Sequence, residues 1–68
     1  MIVRVILKVY EIIEMITADG WYFDRQKGSH MQFRHKTKIG TVTVPNHGRN
    51  HVLSHAMVNS ILKQAGLK

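Results

Sequence analysis

The amino-acid sequence predicts an α+β fold in which three strands lie between two helices, in the order α-β-β-β-α. Apolar residues recur with helical spacing near both ends of the chain, and runs rich in aromatic and β-branched residues, separated by turn residues, fill its middle. A length of 68 residues allows a single domain. Because each helix has one apolar face, we expect both helices to cover one face of a three-stranded antiparallel sheet.

The first helix is predicted from Lys8 to Ala18, and Gly20 is expected to end it. Its apolar residues fall at i, i+3, i+4 and i+7: Val9, Ile12, Ile13 and Ile16. The preceding residues 1–7 contain no N-capping residue, and three conformations are open for them: an extra helical turn, a short edge strand or a disordered tail. We treat them as an N-terminal extension of one domain that covers residues 1–68.

Three strands follow the first helix, with turns in the segments KGS and KTKIG. They are predicted at Trp21–Gln26, His30–His35 and Thr41–Pro45. In the second strand Met31 and Phe33 alternate with His30. A strand that is buried on one face therefore has His30 on its polar face.

The segment NHGRNHVL, residues 46–53, is predicted to be a loop from its composition. Ser54 then caps a second helix. The apolar stripe of this helix again has helical spacing: Val58, Ile61, Leu62 and Ala65. Gly66 is expected to end it.

The charges are unevenly distributed along the chain. The net charge is +6, all four acidic residues lie within the first 24 residues, and eight Lys and Arg residues lie between Arg25 and Lys68. Such a surface favours a polyanion such as a nucleic acid, or an acidic partner protein. The absence of cysteine excludes disulfide frameworks and thiolate chemistry. The apolar start MIVRVIL is too short to span a membrane and lacks a signal-peptide layout, so we expect a soluble cytoplasmic protein.

His30 is the candidate catalytic residue. RNA carries an internal nucleophile, the 2′-OH, so its cleavage needs a group that moves a proton and cations around the phosphate. A histidine suits either proton transfer, as general base or general acid, although a solvated strand histidine is the alternative interpretation. Gly28 would let the backbone approach a phosphate closely, and Ser29 could donate a hydrogen bond to it. Five cations are candidates for RNA binding: Arg25, Lys27, Arg34, Lys36 and Lys38.

Three segments of the chain, GWYFDRQKGSHMQFRH, TVTVPNHG and SILKQAGLK, resemble the HicA toxins, small ribonucleases of bacterial toxin–antitoxin modules. The resemblance extends from Val9 to Lys68, so residues 1–7 precede the usual start of the family. It implies a fold like the double-stranded-RNA-binding domain, cleavage of mRNA independently of the ribosome, and neutralisation by a HicB-like antitoxin. It also implies that the catalytic histidine is the one after the Gly-Ser pair, which is His30.

Three aromatic residues open the first strand. Trp21 and Phe23 share one face of that strand in a domain with few large apolar residues, so we expect both to pack under a helix. Tyr22 lies on the other face and is the better candidate for contact with RNA or with the antitoxin.

The remaining histidines are weaker candidates. His47, His51 and His55 are four residues apart, but no cysteine or acid lies nearby to complete a zinc site, so we predict no metal and no cofactor. The family often carries a histidine after its third strand, which makes His47 a candidate for a phosphate contact or a loop hydrogen bond. We expect His35, like His51 and His55, on the solvated surface.

These observations lead to one expected function and two alternatives. The expected function is a metal-independent toxin endoribonuclease, in which the 2′-OH attacks with the help of His30 and leaves a 2′,3′-cyclic phosphate. The first alternative is a non-catalytic RNA-binding module of the same fold. The second is a surface for an acidic partner protein.

Overall fold

The computed structural model describes residues 6–68 and contains the predicted α-β-β-β-α order. The elements are β1 (Leu7–Lys8), α1 (Val9–Ala18), β2 (Tyr22–Lys27), β3 (His30–Arg34), β4 (Val42–Pro45), β5 (Val52–Leu53) and α2 (His55–Gln64). Strands β2, β3 and β4 form an antiparallel sheet in that order, and β1 pairs with β5. The α+β prediction is confirmed, and the architecture is consistent with the double-stranded-RNA-binding-domain-like fold.

Two short strands add to the predicted elements. Leu7 pairs with Leu53, and Lys8 pairs with Val52. The prediction that residues 46–53 form only a loop is therefore wrong for the last two of them. Of the three conformations considered for residues 1–7, Leu7 adopts the strand, while residues 1–5 lie outside the described residues.

At the start of helix α1, the Glu11 carboxylate accepts a hydrogen bond from the Lys8 N–H (2.9 Å), and a distant loop satisfies the next two backbone donors. The N–H groups of Val9 and Tyr10 donate hydrogen bonds to the carbonyl oxygens of His51 (2.9 Å) and Arg49 (3.0 Å). The Arg49 guanidinium also lies over the Tyr10 ring, 5.0 Å from its centre. The loop before β5 thus does for α1 what a capping Ser or Thr does for other helices.

Helix α2 carries its own end signals, as the sequence predicts. The Ser54 hydroxyl accepts a hydrogen bond from the N–H of Met57 (3.2 Å). After the last turn, Gly66 adopts a φ of +71°, and the N–H of Leu67 donates back to the carbonyl of Leu62 (2.8 Å). Both ends of α2 are therefore closed by residues close to it in sequence.

The apolar core lies between the helices and one face of the three-stranded sheet, and both helices pack against β4. Its buried side chains are Val9, Ile12, Ile16, Trp21, Met31, Phe33, Val42, Val44, Leu53, Val58, Ile61 and Ala65. Within residues 6–68, no helix is long and apolar enough to cross a membrane.

The helices leave the outer strand β2 uncovered, and all six of its residues are exposed. Trp21 is buried, as predicted, but the prediction that Phe23 packs under a helix is wrong, because its side chain is 54% exposed. The Phe23 ring lies at the rim of the core, where it meets the edge of Phe33 with ring centres 5.9 Å apart.

His35 is a structural residue and not the solvated one that the sequence predicts. Its Nδ1 accepts hydrogen bonds from the backbone N–H groups of Thr37 and Lys38, both at 3.1 Å. The proton of the neutral ring is therefore on Nε2, which donates to the carbonyl oxygen of Asp19 (2.7 Å). The ring also lies edge-on to Trp21, with centres 5.1 Å apart. These contacts fasten the loop after β3 to the end of α1.

Candidate nucleic-acid interface

A two-residue turn brings Lys27 and His30 together. Gly28 and Ser29 connect β2 to β3, and Gly28 has a φ of +60°, whereas no residue other than glycine between 6 and 68 has a positive φ. Glycine with positive φ followed by a residue with negative φ is the pattern of a type II′ hairpin turn. The turn sets Lys27 directly opposite His30. Side chains opposed in this way have Cβ atoms about 5 Å apart.

The sheet face opposite the helices, called the open face below, carries the His30 side chain. Met31 and Phe33 are buried on the helix side, so the residues that alternate with them point to the open face. Cross-strand partners share a face, which assigns the neighbouring strands as well. The open face therefore carries Tyr22, Arg25 and Lys27 of β2, His30, Gln32 and Arg34 of β3, and Thr43 and Pro45 of β4.

A β-bulge at Asp24 turns the cations of β2 toward the open face. Phe23 lies opposite Phe33 and Arg25 lies opposite Gln32, so Asp24 is an extra residue in the ladder. In an unbroken ladder Asp24 would lie opposite Gln32, and Arg25 would point to the helix side. Because of the bulge, Arg25 and Lys27 lie on the same face as His30.

The open face is cationic. The predicted site residues that it brings together are Arg25, Lys27, His30 and Arg34, with Gly28 and Ser29 in the turn at its end. Asp24 accepts a hydrogen bond from Arg25 Nε (3.1 Å), an exposed pair that offsets little of the positive charge. No enclosed pocket is present in the part of the chain that the structure describes.

Two side-chain amides brace the turn from the helix side of the sheet. The backbone N–H of Asn46 donates to the Ser29 carbonyl (2.7 Å), and the side-chain Nδ2 of Asn46 donates to Gln26 Oε1 (2.9 Å). Gln26 Nε2 donates to the Gly28 carbonyl (3.0 Å), and Asn46 Oδ1 accepts from the Gly48 N–H (3.2 Å). Because β3 lies between β2 and β4, this brace ties both neighbouring strands together at the residue before the histidine.

Sequence reasoning missed both amides of the brace. Gln26 and Asn46 are 20 residues apart, and both are polar, so no apolar periodicity marks them. The only available signal was that Asn46 follows the end of a predicted strand directly, where a side chain often bonds to neighbouring backbone.

Lys36 and Lys38 lie away from His30, since both follow β3 at its other end. Lys38 Nζ contacts Asp19 Oδ2 (2.5 Å) and the carbonyl oxygen of Ala65 (3.1 Å), which links the ends of the two helices. The hydrogen bond from Lys38 holds the pKa of the Asp19 carboxyl below its ordinary value. The Lys38 charge is thus engaged within the fold, whereas Lys36 is exposed.

His47, His51 and His55 do not form a cluster with His30. His47 is exposed just after β4, and its ring lies edge-on to His51 with centres 5.2 Å apart. His51 is exposed, as predicted, but His55 is half-buried and its Nε2 lies 3.1 Å from Asn59 Nδ2. In residues 6–68, no group of three or more His, Asp or Glu side chains is arranged to hold a metal ion.

The fold and the open face define a small α+β domain of the double-stranded-RNA-binding-domain type whose surface suits a polyanion. Comparison with known families makes the assignment specific. The model of the family described as the HicA toxin of bacterial toxin–antitoxin systems matches residues 9–67, and the chain belongs to this family. It is therefore a toxin of a toxin–antitoxin system, and its family implies an antitoxin partner. No curated protein matches the sequence.

Proposed function

We propose that this toxin is an endoribonuclease that cleaves mRNA independently of the ribosome and without a metal ion or other cofactor. The observation that carries the proposal is the place of His30, opposite Lys27 on a face that also displays Arg25 and Arg34. Such a face attracts the phosphates of a nucleic acid, because binding releases the counterions condensed on the backbone. Membership of a toxin family supplies a reason for an activity that harms the cell.

The proposed reaction is an attack of the RNA on itself. A 2′ oxygen attacks the adjacent phosphorus, the bond from that phosphorus to the 5′ oxygen of the next nucleotide breaks, and a 2′,3′-cyclic phosphate and a 5′-hydroxyl result. His30 removes the proton of the 2′-OH as general base, or donates a proton to the leaving 5′ oxygen as general acid. One such transfer contributes roughly 100- to 10,000-fold to the rate.

The cations supply the electrostatic part of catalysis. Lys27 is opposite His30, so its ammonium can stabilise the negative charge that gathers on the phosphate in the transition state. Arg25 and Arg34 lie further along the same face and would hold neighbouring phosphates. The Ser29 hydroxyl in the turn is a further donor to a phosphate oxygen.

In this proposal, the residues predicted to bind RNA are mainly those on the open face. Exposed Lys36 and His47 remain peripheral candidates for phosphate contacts at opposite ends of the sheet. Lys38 is left out, because its ammonium already binds Asp19 and the end of α2.

We propose that the antitoxin is an acidic, HicB-like protein that covers the open face. Outside Asp24, the acids of the described chain are on α1 or at its end, away from this face. An acidic partner would therefore meet the cations that bind phosphate and exclude RNA by both charge and volume.

The direct test compares His30→Ala with a matched control, His51→Ala, which removes another exposed imidazole. His30→Ala should keep the circular dichroism spectrum of the wild type, because a side chain on the polar face contributes little to the core, but it should lose RNA cleavage and growth arrest. His51→Ala should retain both activities. A folded His30→Ala protein that cleaves at the wild-type rate refutes the mechanism, and a wild type that binds RNA without cleaving it supports the binding-module alternative.

A further inference from the structure

We infer that Tyr22 forms a base-stacking subsite on the open face, at the end opposite His30, and that the RNA bound there is single-stranded. The inference rests on the proposed function, since it describes how the same face holds its RNA. It gives Tyr22 a role in the selection of unpaired RNA, which the cations and the histidine do not provide.

The ladder between β2 and β3 repeats one chemical combination along the open face. Three of the cross-strand pairs have their side chains on the open face, and each joins one cation to one planar side chain: Tyr22 with Arg34, Gln32 with Arg25, and His30 with Lys27. A cation beside a planar group is the combination that single-strand binders use, because the cation holds the backbone while the planar group meets a base. The open face is therefore a track and not merely a positive patch.

Tyr22 is the aromatic member of this track. Its side chain is 50% exposed, although a large aromatic side chain in so small a domain could otherwise have been used in the core. Its neighbours Trp21 and Phe23 point to the helix side, where Trp21 is buried and Phe23 contacts Phe33. Tyr22 thus offers a ring to the face that carries the catalytic histidine.

The spacing of the track fits an extended strand of RNA. Arg34, the partner of Tyr22, is four residues from His30 along β3, which is about 13 Å, and an extended single strand crosses this distance in roughly two nucleotides. When the scissile phosphate is beside His30, a base about two nucleotides away therefore reaches Tyr22. Gln32 lies between them and can form hydrogen bonds with the intervening nucleotide.

A stacking role for Tyr22 requires an unpaired base. In an A-form duplex each base is stacked between its own neighbours, so its faces are not available to a side chain. No enclosed pocket is present in residues 6–68, which favours stacking on any base over recognition of one base. We therefore expect cleavage of single strands with a requirement for a base, but little preference for its identity, at the Tyr22 position.

The experiment measures kcat/KM on a short single-stranded RNA with one cleavage site for wild type, Tyr22→Ala, Tyr22→Phe and a matched control, Phe23→Ala. The control removes an equally exposed aromatic side chain from the adjacent position on the other face. Loss of one stacking contact should lower kcat/KM of Tyr22→Ala by about 5- to 150-fold. Tyr22→Phe, which keeps the ring, and Phe23→Ala should remain close to wild type.

A second measurement locates the contact by placing one abasic nucleotide at each position of the same RNA in turn. For the wild type, an abasic site about two nucleotides from the cleaved bond should slow cleavage, and Tyr22→Ala should show no further loss at that position. Wild-type kcat/KM for Tyr22→Ala, equal abasic effects in both proteins, or equally fast cleavage of a duplex would overturn the inference. Unchanged cleavage with weakened antitoxin binding in Tyr22→Ala would assign the ring to the protein partner instead. Failure of the proposed function is distinguishable, because it appears as cleavage by His30→Ala or as no cleavage by the wild type.

Discussion

Replacing Asn46 with alanine should slow RNA cleavage by more than the loss of stability explains. The Asn46 side chain joins Gln26 on one side of β3 to the Gly48 N–H on the other, and the Asn46 backbone N–H holds the Ser29 carbonyl next to His30. Asn46 does not reach the open face, so we regard it as a positioning residue that acts through the histidine.

The magnitude of the structural effect follows from the two side-chain hydrogen bonds that Asn46→Ala removes. Each contributes about 0.5–1.5 kcal/mol net, and the Gln26 amide left behind is exposed and regains water, so we expect a loss of about 1–2 kcal/mol in the free energy of unfolding. In a domain of this size such a loss lowers Tm by about 5–15 °C. The backbone hydrogen bond to Ser29 remains, so the hairpin still forms.

The catalytic effect should be separate and larger. A displacement of the His30 ring by about 1 Å can cost on the order of 100-fold in rate, so kcat should fall between about 10- and 100-fold. KM should change little, because the cations of the open face are on β2 and β3 and do not bond to Asn46.

The assay combines thermal unfolding with cleavage kinetics well below the Tm of every variant. The control is Gln64→Ala, which removes a comparable hydrogen bond to the Thr43 N–H (3.0 Å) at the outer edge of β4. Gln64→Ala should be destabilised while keeping the wild-type kcat. If Asn46→Ala keeps the wild-type kcat while folded, or if Gln64→Ala loses as much activity, the brace is only structural and our reasoning about His30 is wrong.

Three further predictions concern metal, pH and partner. Cleavage should persist in excess EDTA, because the proposed proton transfers use no metal ion, and inhibition that Mg²⁺ reverses would contradict this. Lys38→Met should lower the free energy of unfolding at neutral pH. Because folding lowers the pKa of Asp19, the stabilisation by the Asp19 carboxylate is present above the unfolded-state pKa and disappears as the pH falls through the folded-state pKa. Urea unfolding should therefore show the difference from wild type shrink in acid, and a constant difference would count against the ion pair. Lys27→Glu and Arg34→Glu should weaken both RNA cleavage and the affinity for the antitoxin measured by calorimetry, whereas His30→Ala should bind the antitoxin as tightly as wild type. Unchanged affinity in the two charge-reversal variants would mean that the antitoxin binds elsewhere.

The sequence predicted the features that depend on local pattern. Helical spacing located both helices, Ser54 and Gly66 marked the ends of α2, and the Gly-Ser pair marked the hairpin turn. Alternation in β3 placed His30 on the polar face, because Met31 and its neighbours have a clear period of two.

Features that depend on distant contacts escaped prediction. The bulge at Asp24 leaves no trace in the sequence of β2, since every residue of that strand is exposed and no apolar alternation reveals the shift. The partial burial of His35 depends on the end of α1, and the exposure of Phe23 depends on how far the helices extend over the sheet. The engagement of Lys38 likewise follows from a carboxylate and a helix end that are far away in the sequence.

The way in which α1 is capped has a consequence for the order of folding. The carbonyl groups that accept from Val9 and Tyr10 belong to a loop near the other end of the sequence, so the first turn of α1 gains its partners only after β4 and the following loop have docked. Helix α2 and the paired strands of the β2–β3 hairpin form from residues close in sequence, and only the brace from Asn46 reaches the hairpin turn from β4. We therefore expect the transition state for folding to contain α2 and the hairpin, with the start of α1 joining late as the step that closes the domain.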